Sequence, residues 1–265
     1  MVLMEDERVL VEKGKLSMKH PDFLFKYLPV NSMQGLIHSC EIFSNRKVYF
    51  PCRTELNDPF EGKGGNYLDG EGLMGRGIHL AADDEHPLVL ELMDQYKILA
   101  LTENGFSPQL WAYYANNYAG MCICFKTGKS FARAKKVKYL SDSTKNSSPD
   151  PLDSFYIKEI GWKYESEWRI VEKTDDKFFE FKIEEIACVI YGEKMPKEIQ
   201  KFISNYIPDS IIKLVAHAGM QTHKVYYQPQ DYVKKLDGST NLEITNNKEL
   251  LRYLGTLHLP ERRDF

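Results

Sequence analysis

The sequence lacks any uninterrupted apolar run near the roughly 18 residues that a membrane span requires. Its first 19 residues are charged, whereas a secretory signal combines a basic start with an apolar stretch. These absences exclude the usual patterns of membrane-spanning and exported proteins. We therefore predict a soluble, cytoplasmic protein that does not engage membranes.

Cysteine is scarce and is not arranged for metal binding. The five cysteines are Cys40, Cys52, Cys122, Cys124 and Cys188. They form no C-x-x-C pair and no cluster with histidine at zinc spacing, and the seven histidines are isolated along the chain. We predict buried free thiols and no metal site.

The short motifs that identify common enzyme classes are also absent. The chain has no G-x-x-x-x-G-K-[ST], no G-x-S-x-G, no H-E-x-x-H and no G-x-G-x-x-G after a strand. Its 35 basic and 38 acidic residues give a formal net charge of -3, so no global field favours nucleic acid. A basic stretch at 126–138 is interpreted as a solvated face.

The apolar patterns predict a mixture of strands and helices around one sizeable core, since 43% of the 265 residues are hydrophobic. Strands are predicted near 23–28, 41–51, 98–102, 121–125, 137–140, 168–172, 187–191, 211–216 and 225–227. Helices are predicted from Met33, over 88–96, from Pro108 and over 196–206. Because these elements do not alternate regularly, we predict an α+β fold with a largely antiparallel mixed sheet flanked by helices.

The chain is divided into three parts on composition. Residues 1–20 are predicted to be an arm or a first helix, and 21–235 to form a single α+β domain. Residues 236–265 turn polar and are predicted to be a C-terminal extension with at most an appended helix.

The first polar cluster is the loop from Asn57 through Asp58 to Glu61. Pro59 favours an extended Asp58, so that the turn can aim donors and acceptors at a ligand. The alternative is a structural turn in which the amide and carboxylate bond their own backbone while Phe60 fills the core.

The second cluster is aromatic and follows Pro108. Trp111, Tyr114 and Ala115 share one face at helical spacing, which predicts a core face. Aromatic rings with polar groups also form stacking walls for planar ligands. Both interpretations hold together if Trp111 is buried and a tyrosine faces the site.

The third cluster holds two acids and a guanidinium. On an extended segment Glu165, Glu167 and Arg169 lie on one face. The alternative is a surface ladder of ion pairs, which contributes only about 0 to 1 kcal/mol per pair. The neighbouring Trp162 and Trp168 favour partial burial, where an arginine orients a carboxylate for catalysis. We expect the three clusters to converge on one site.

Taken in order, these motifs resemble the bacterial family called domain of unknown function 2971. The matching residues are Lys26-Tyr27, Phe43-Ser44, Asn57-Asp58-Pro59-Phe60-Glu61, Trp111-x-x-Tyr114-Ala115, Gly120-Met121-Cys122-Ile123-Cys124-Phe125 and Trp162-x-Tyr164-Glu165-x-Glu167-x-Arg169. The resemblance covers about residues 24–227. Members often have a histidine immediately before the tyrosine of the tryptophan motif, and Tyr113 stands there in this chain.

The layout of that family is similar to mono-ADP-ribosyltransferases, which implies a cleft for NAD. The resemblance implies that Lys26 or Tyr27 contacts the adenosine ribose or the nicotinamide, and that Tyr114 stacks on the nicotinamide. The residues expected to bind NAD are Lys26, Tyr27, Asn57, Asp58, Glu61, Trp111 and Tyr114.

The same resemblance assigns the catalytic role to the third cluster. Glu167 or Glu165 would hydrogen-bond the nicotinamide ribose and stabilise an oxocarbenium-like transition state, with Arg169 as the orienting group.

Three functions follow as hypotheses. The first is an NAD-consuming ADP-ribosyltransferase or NAD glycohydrolase, acting in defence or as a toxin on an unknown macromolecular or small-molecule acceptor. The second is a non-enzymatic binding or regulatory module. The third is a phosphodiester-acting enzyme whose divalent ion is held by Asp58, Glu61, Glu165 and Glu167.

Overall fold

The computed structural model describes residues 10–12, 15–17, 20–58, 87–141, 151–230 and 242–257. Glu61, with its neighbours Pro59 and Phe60, lies outside the described residues, as do parts of the predicted N-terminal arm and C-terminal extension.

Strands and helices are interspersed along the chain. The strands are β1 (Leu10–Glu12), β2 (Lys15–Ser17), β3 (Phe23–Leu28), β4 (Lys47–Tyr49), β5 (Tyr96–Thr102), β6 (Met121–Lys126), β7 (Lys135–Lys136), β8 (Lys138–Leu140), β9 (Ile157–Glu159), β10 (Glu167–Lys173), β11 (Phe178–Glu180), β12 (Ile186–Gly192), β13 (Ile212–Gly219) and β14 (Lys224–Pro229). The α-helices are α1 (Met33–Ser44), α2 (Pro87–Asp94), α3 (Pro108–Tyr114), α4 (Lys197–Ser204) and α5 (Asn247–Thr256). Short 3₁₀ helices cover Arg53–Glu55, Lys129–Arg133, Pro151–Tyr156, Ile160–Glu165 and Ile183–Glu185.

Eight strands form the main sheet in the order β14-β13-β12-β6-β3-β5-β10-β7. Its neighbours run antiparallel except for β12 and β13, which are parallel. Two-stranded pairs β1-β2, β4-β11 and β8-β9 lie outside this sheet. The predicted α+β fold with a largely antiparallel mixed sheet is confirmed.

Both faces of the main sheet are covered by packed side chains. Along β6, Ile123 belongs to the core on one face and Cys124 to the core on the other. The first core includes Phe43 of α1, and the second includes Trp111 of α3 and Leu250 of α5. A central strand buried on both sides explains why β6 reads as an unbroken apolar run.

The helix starts follow side-chain capping. Ser32 accepts a hydrogen bond from the backbone N–H of Gly35 at 3.0 Å and opens α1, while Ser107 caps α3 just before Pro108. The strand predicted from residue 41 is wrong at its start, because α1 continues to Ser44. Buried side chains there, including Ile42, extend the helical face of the preceding turn.

The two predicted terminal parts contribute regular structure. The described residues of the predicted arm form the antiparallel strands β1 and β2 rather than a helix. Within the predicted extension, Leu250 and Leu254 of α5 are buried in the second core, and Ile244 pairs with Tyr227 of β14. This helix therefore packs into the domain.

No helix in the described segments combines the length and apolar composition of a membrane span.

Candidate functional site

The main sheet is split between β3 and β5. The two strands pair at one described position, Phe25 opposite Thr102, and β3 then diverges. Farther along β5, the same edge pairs with the segment at Cys52. In between, the Lys26 ammonium donates a hydrogen bond to the carbonyl of Ala100 at 3.0 Å. A side chain thus replaces the missing strand pairing, and a cleft opens beside it.

The cleft has a volume of about 200 Å³. It is bounded by β3, β5, the segment after β4, and the end of α3. The predicted site residues that line it are Lys26, Tyr27, Asn57, Tyr114, Glu165 and Glu167. Pockets for drug-sized ligands are roughly 300 to 1,000 Å³, so this cleft suits one ring-sized part of a larger molecule.

Glu165 reaches the cleft through a turn and not through a strand. It ends the 3₁₀ helix Ile160–Glu165, and Ser166 follows in the left-handed conformation with φ 46°. The Thr102 hydroxyl donates a hydrogen bond to the Glu165 carbonyl at 2.5 Å. The prediction of one extended face is therefore wrong for Glu165 and holds for Glu167 and Arg169 of β10.

Five side chains form a connected group, which we call the carboxylate network. Its members are Tyr114, Glu165, Lys158, Glu167 and Arg169. The Lys158 ammonium lies 2.6 Å from Glu165 Oε2 and 3.3 Å from Glu167 Oε2. Arg169 donates from Nε to Glu167 Oε1 at 2.7 Å and from Nη2 to Oε2 at 2.8 Å. The Tyr114 hydroxyl donates to Glu165 Oε1.

The charged members of the network are buried and hydrogen-bonded. Arg169 is fully buried, and its Nη1 donates to the carbonyl of Phe155 at 2.7 Å. The backbone N–H of Glu167 donates to the Tyr139 hydroxyl at 2.8 Å. Buried charges persist only when they are paired in this way, because an unpaired buried ion costs several kcal/mol.

The two glutamates have opposite shifts of pKa. Burial raises the pKa of the Glu165 carboxyl above its ordinary value, and Lys158 offsets this only in part. Burial acts on Glu167 as well, but the charges of Arg169 and Lys158 together hold its pKa below the ordinary value. Burial also lowers the pKa of Lys26, against the opposing charge of Glu167. Glu167 is therefore the firmly ionised acid.

Two predicted ligand-binding aromatics lie on the second core. Trp111 is fully buried, which agrees with the core interpretation of its helical face. Tyr27 borders the cleft, but its hydroxyl donates to the carbonyl of Gly105 at 2.7 Å and its ring packs edge-on against Trp111. Tyr114 is the aromatic residue of α3 that lines the cleft.

The first cluster is divided by the structure. Asn57 is exposed at the cleft, where its side chain hydrogen-bonds to Tyr114. Asp58 is buried and does not line the cleft among the described residues. Glu61 lies outside the described residues, so its predicted role stays a prediction.

Lys158 was not among the predicted site residues, although it joins the two glutamates. The available signal was its position in a short stretch of acids and aromatics that runs to Arg169. Arg169 itself does not line the cleft but acts through Glu167.

The donor set can be compared with the needs of a divalent ion. Within the segments that the structure describes, no three His, Cys, Asp or Glu side chains are grouped for metal binding. Of the three described carboxylates that line the cleft, Glu55, Glu165 and Glu167, the last two are already in contact with cationic side chains.

Comparisons of the chain with family models, curated proteins and solved structures give no match. The resemblance in its ordered motifs therefore stays a prediction.

Proposed function

We propose that the cleft binds the nicotinamide end of NAD and breaks its N-glycosidic bond, transferring the ADP-ribosyl group to water or to an acceptor. One observation carries this proposal. Two buried carboxylates with opposite shifts of pKa meet at one lysine, beside a cleft of ring size. Such a separation of pKa values is how neighbouring acids acquire different catalytic roles.

The bond to be broken joins C1′ of the ribose to the nicotinamide nitrogen. Its electron pair leaves with the ring as neutral nicotinamide, and positive charge develops on the ribose. Glu167 is suited to stabilise that charge because it stays ionised and its orientation is fixed by Arg169.

The second glutamate is suited to complete the reaction. When water is the acceptor, its oxygen bonds to C1′ and its proton passes to the Glu165 carboxylate. A raised pKa makes Glu165 a stronger base than an ordinary glutamate, and proton transfer to a positioned base typically contributes 10²- to 10⁴-fold in rate. Lys158 and Tyr114 hold the carboxylate in place.

The remaining groups around the cleft favour a planar ligand. The described lining carries two basic side chains, Lys26 and Lys158, and three acidic ones, Glu55, Glu165 and Glu167. Tyr114 offers an aromatic wall of the kind that packs on planar rings.

The resemblance to mono-ADP-ribosyltransferases supports the same assignment at the level of layout. The resemblance implies binding or catalytic roles for Lys26, Tyr114 and Glu167, which lie on β3, α3 and β10. Since a shared layout is weak support for a shared activity, the reaction must be tested directly. Consumption of NAD would account for the predicted role in defence or as a toxin.

The test is release of nicotinamide from NAD by the purified chain, measured by chromatography. We expect release by the wild type and a loss of about 100-fold or more for both Glu165→Gln and Glu167→Gln. The matched control is Glu180→Gln, because Glu180 is an exposed acid in a surface ion pair with Lys47. Circular dichroism verifies that each variant is folded.

Absence of both NAD binding and nicotinamide release in the wild type would contradict the proposal. So would folded glutamine variants that retain full activity. Stabilisation by millimolar Mg²⁺ or Mn²⁺, lost in the same variants, would instead support the phosphodiester-acting enzyme.

A binding or regulatory module remains the second candidate, and the pairing within the network favours it. A fully satisfied polar network rigidifies a fold without performing chemistry. In that case the purified chain releases no nicotinamide from NAD, and a folded Glu165→Gln variant differs from the wild type in partner binding alone.

A further inference from the structure

Three aromatic side chains lie side by side near the cleft, and we call them the aromatic row. Its members are Tyr113, Tyr164 and Trp162. The ring centres of Tyr113 and Tyr164 are 6.3 Å apart, and those of Tyr164 and Trp162 are 6.2 Å apart. The rings are tilted against each other by 56° and 33° and are not stacked face to face. Their faces are therefore not closed off by mutual stacking.

The row lies at the surface. Tyr113 is 71% exposed, and Trp162 and Tyr164 are partly exposed. Trp111 and Trp168, the other two tryptophans of the chain, are buried. Contiguous exposed aromatic surface commonly marks a binding site rather than a contribution to the core.

The row is continuous with the carboxylate network. The Tyr164 side chain interacts with Tyr114, and both pack against the second core. The Lys158 ammonium lies 4.7 Å from the centre of the Trp162 ring and 2.6 Å from Glu165 Oε2. One cation therefore contacts both the row and the network, which places the two at a common site.

The chemistry of the row favours a planar aromatic ring system. The faces of tyrosine and tryptophan stack on nucleobases, and this contact tolerates any base because each has a π-face. The cleft accommodates one ring-sized group, so the second ring system of a dinucleotide must lie outside it. The row provides an aromatic surface directly beside the cleft.

We propose that the aromatic row binds the adenine ring of the dinucleotide whose nicotinamide occupies the cleft. This inference rests on the proposed function for the identity of the ligand. It assigns binding roles to Tyr113, Tyr164 and Trp162.

The test uses AMP, which carries the adenine half of NAD without the reacting bond. Because Trp111 and Trp168 are buried, quenching of intrinsic fluorescence by AMP reports chiefly on Trp162. We expect AMP to quench the wild type. In calorimetric titrations, Trp162→Ala and Tyr113→Ala are expected to weaken AMP binding by about 10-fold or more.

The matched control is Phe202→Ala, since Phe202 is also an exposed aromatic residue, 45% accessible, but lies on α4. This variant is expected to bind AMP as the wild type does. Nicotinamide mononucleotide, which lacks adenine, should bind the Trp162→Ala variant and the wild type equally.

The outcomes separate this inference from the proposed function. AMP that fails to bind, or binds Trp162→Ala as tightly as the wild type, overturns the adenine site even if nicotinamide is released from NAD. Trp162-dependent AMP binding without nicotinamide release keeps the adenine site and overturns the proposed reaction. Tighter, Trp162-dependent binding of a single-stranded oligonucleotide than of AMP or NAD overturns the dinucleotide assignment.

Discussion

The carboxylate network has two ends that share Lys158 but differ from each other. Glu167 and Arg169 form the inner end, and Glu165 and Tyr114 form the outer end. Glu165 and Glu167 are almost equally buried, with 5% and 4% of their surface exposed. Glu167 receives two hydrogen bonds from Arg169 in addition to Lys158, whereas Glu165 receives one from the neutral hydroxyl of Tyr114. Since burial acts on both acids, the additional cationic partner of Glu167, Arg169, explains why the pKa of the two carboxyls shifts in opposite directions.

The largest expected effect comes from breaking the inner end. Glu167→Ala leaves Arg169 buried without its bidentate partner, and loss of one member of a buried ion pair costs about 3 to 5 kcal/mol of the free energy of unfolding. Urea denaturation measures this change. The control Glu180→Ala removes an exposed pair and is expected to cost about 0 to 1 kcal/mol. Equal losses in the two variants would refute the structural role of the inner end.

The next effect is a pH dependence of opposite sign at the two ends. Glu167 has a folded pKa below the ordinary value of 4.5, so its contribution to stability is complete above 4.5 and is lost as pH falls through the folded value. Glu165 has a folded pKa above 4.5, so its contribution is present below 4.5 and is lost as pH rises through the folded value.

Urea denaturation of the wild type, Glu165→Gln and Glu167→Gln from acidic to neutral pH tests both signs. The wild type should lose stability relative to Glu167→Gln on acidification below 4.5. It should lose stability relative to Glu165→Gln as pH rises above 4.5. If the stability of the wild type relative to each variant changes with pH in the same direction for both variants, the pKa values of the two acids are not shifted in opposite directions.

The smallest expected effect concerns the outer end. Tyr114→Phe removes one hydrogen bond to Glu165 but leaves its ion pair with Lys158, so we expect a loss of about 1 kcal/mol. The neighbouring Tyr113→Phe is the control, because Tyr113 is exposed and its hydroxyl is expected to contribute nothing measurable. If Tyr113→Phe lowers the free energy of unfolding more than Tyr114→Phe does, the hydrogen bond of Tyr114 to Glu165 does not have the stabilising role described here.

Much of the fold could be predicted because its signals are local. Ser32 and Ser107 cap helices by bonding backbone a few residues away, and the apolar run of β6 reflects burial on both faces. The packing of helix α5 was harder to predict. Leu250 and Leu254 indicate an apolar face, but the sequence does not indicate which part of the sheet that face packs against.

The site could be predicted where the alternation of side chains along a strand alone determines which residues share a face. Glu167 and Arg169 share a face because they lie two residues apart on β10. Glu165 departs from that pattern because Ser166 adopts a left-handed conformation, which is unusual for a residue other than glycine. Contacts from β5 hold this turn: Thr102 bonds the carbonyl of Glu165, and Glu103 N–H donates to the carbonyl of Ser166 at 3.2 Å. Contacts between distant segments have no signature in a single sequence.

The split between β3 and β5 also has a mechanical consequence. It divides the main sheet into five strands on one side and three on the other. The pairing at Phe25, the Lys26 bridge and the Tyr27 hydroxyl bond to Gly105 are among the contacts that join them. A molecule in the cleft contacts both halves at once. A bound ligand would therefore hold the two halves of the sheet together, and an occupied cleft would resist their separation.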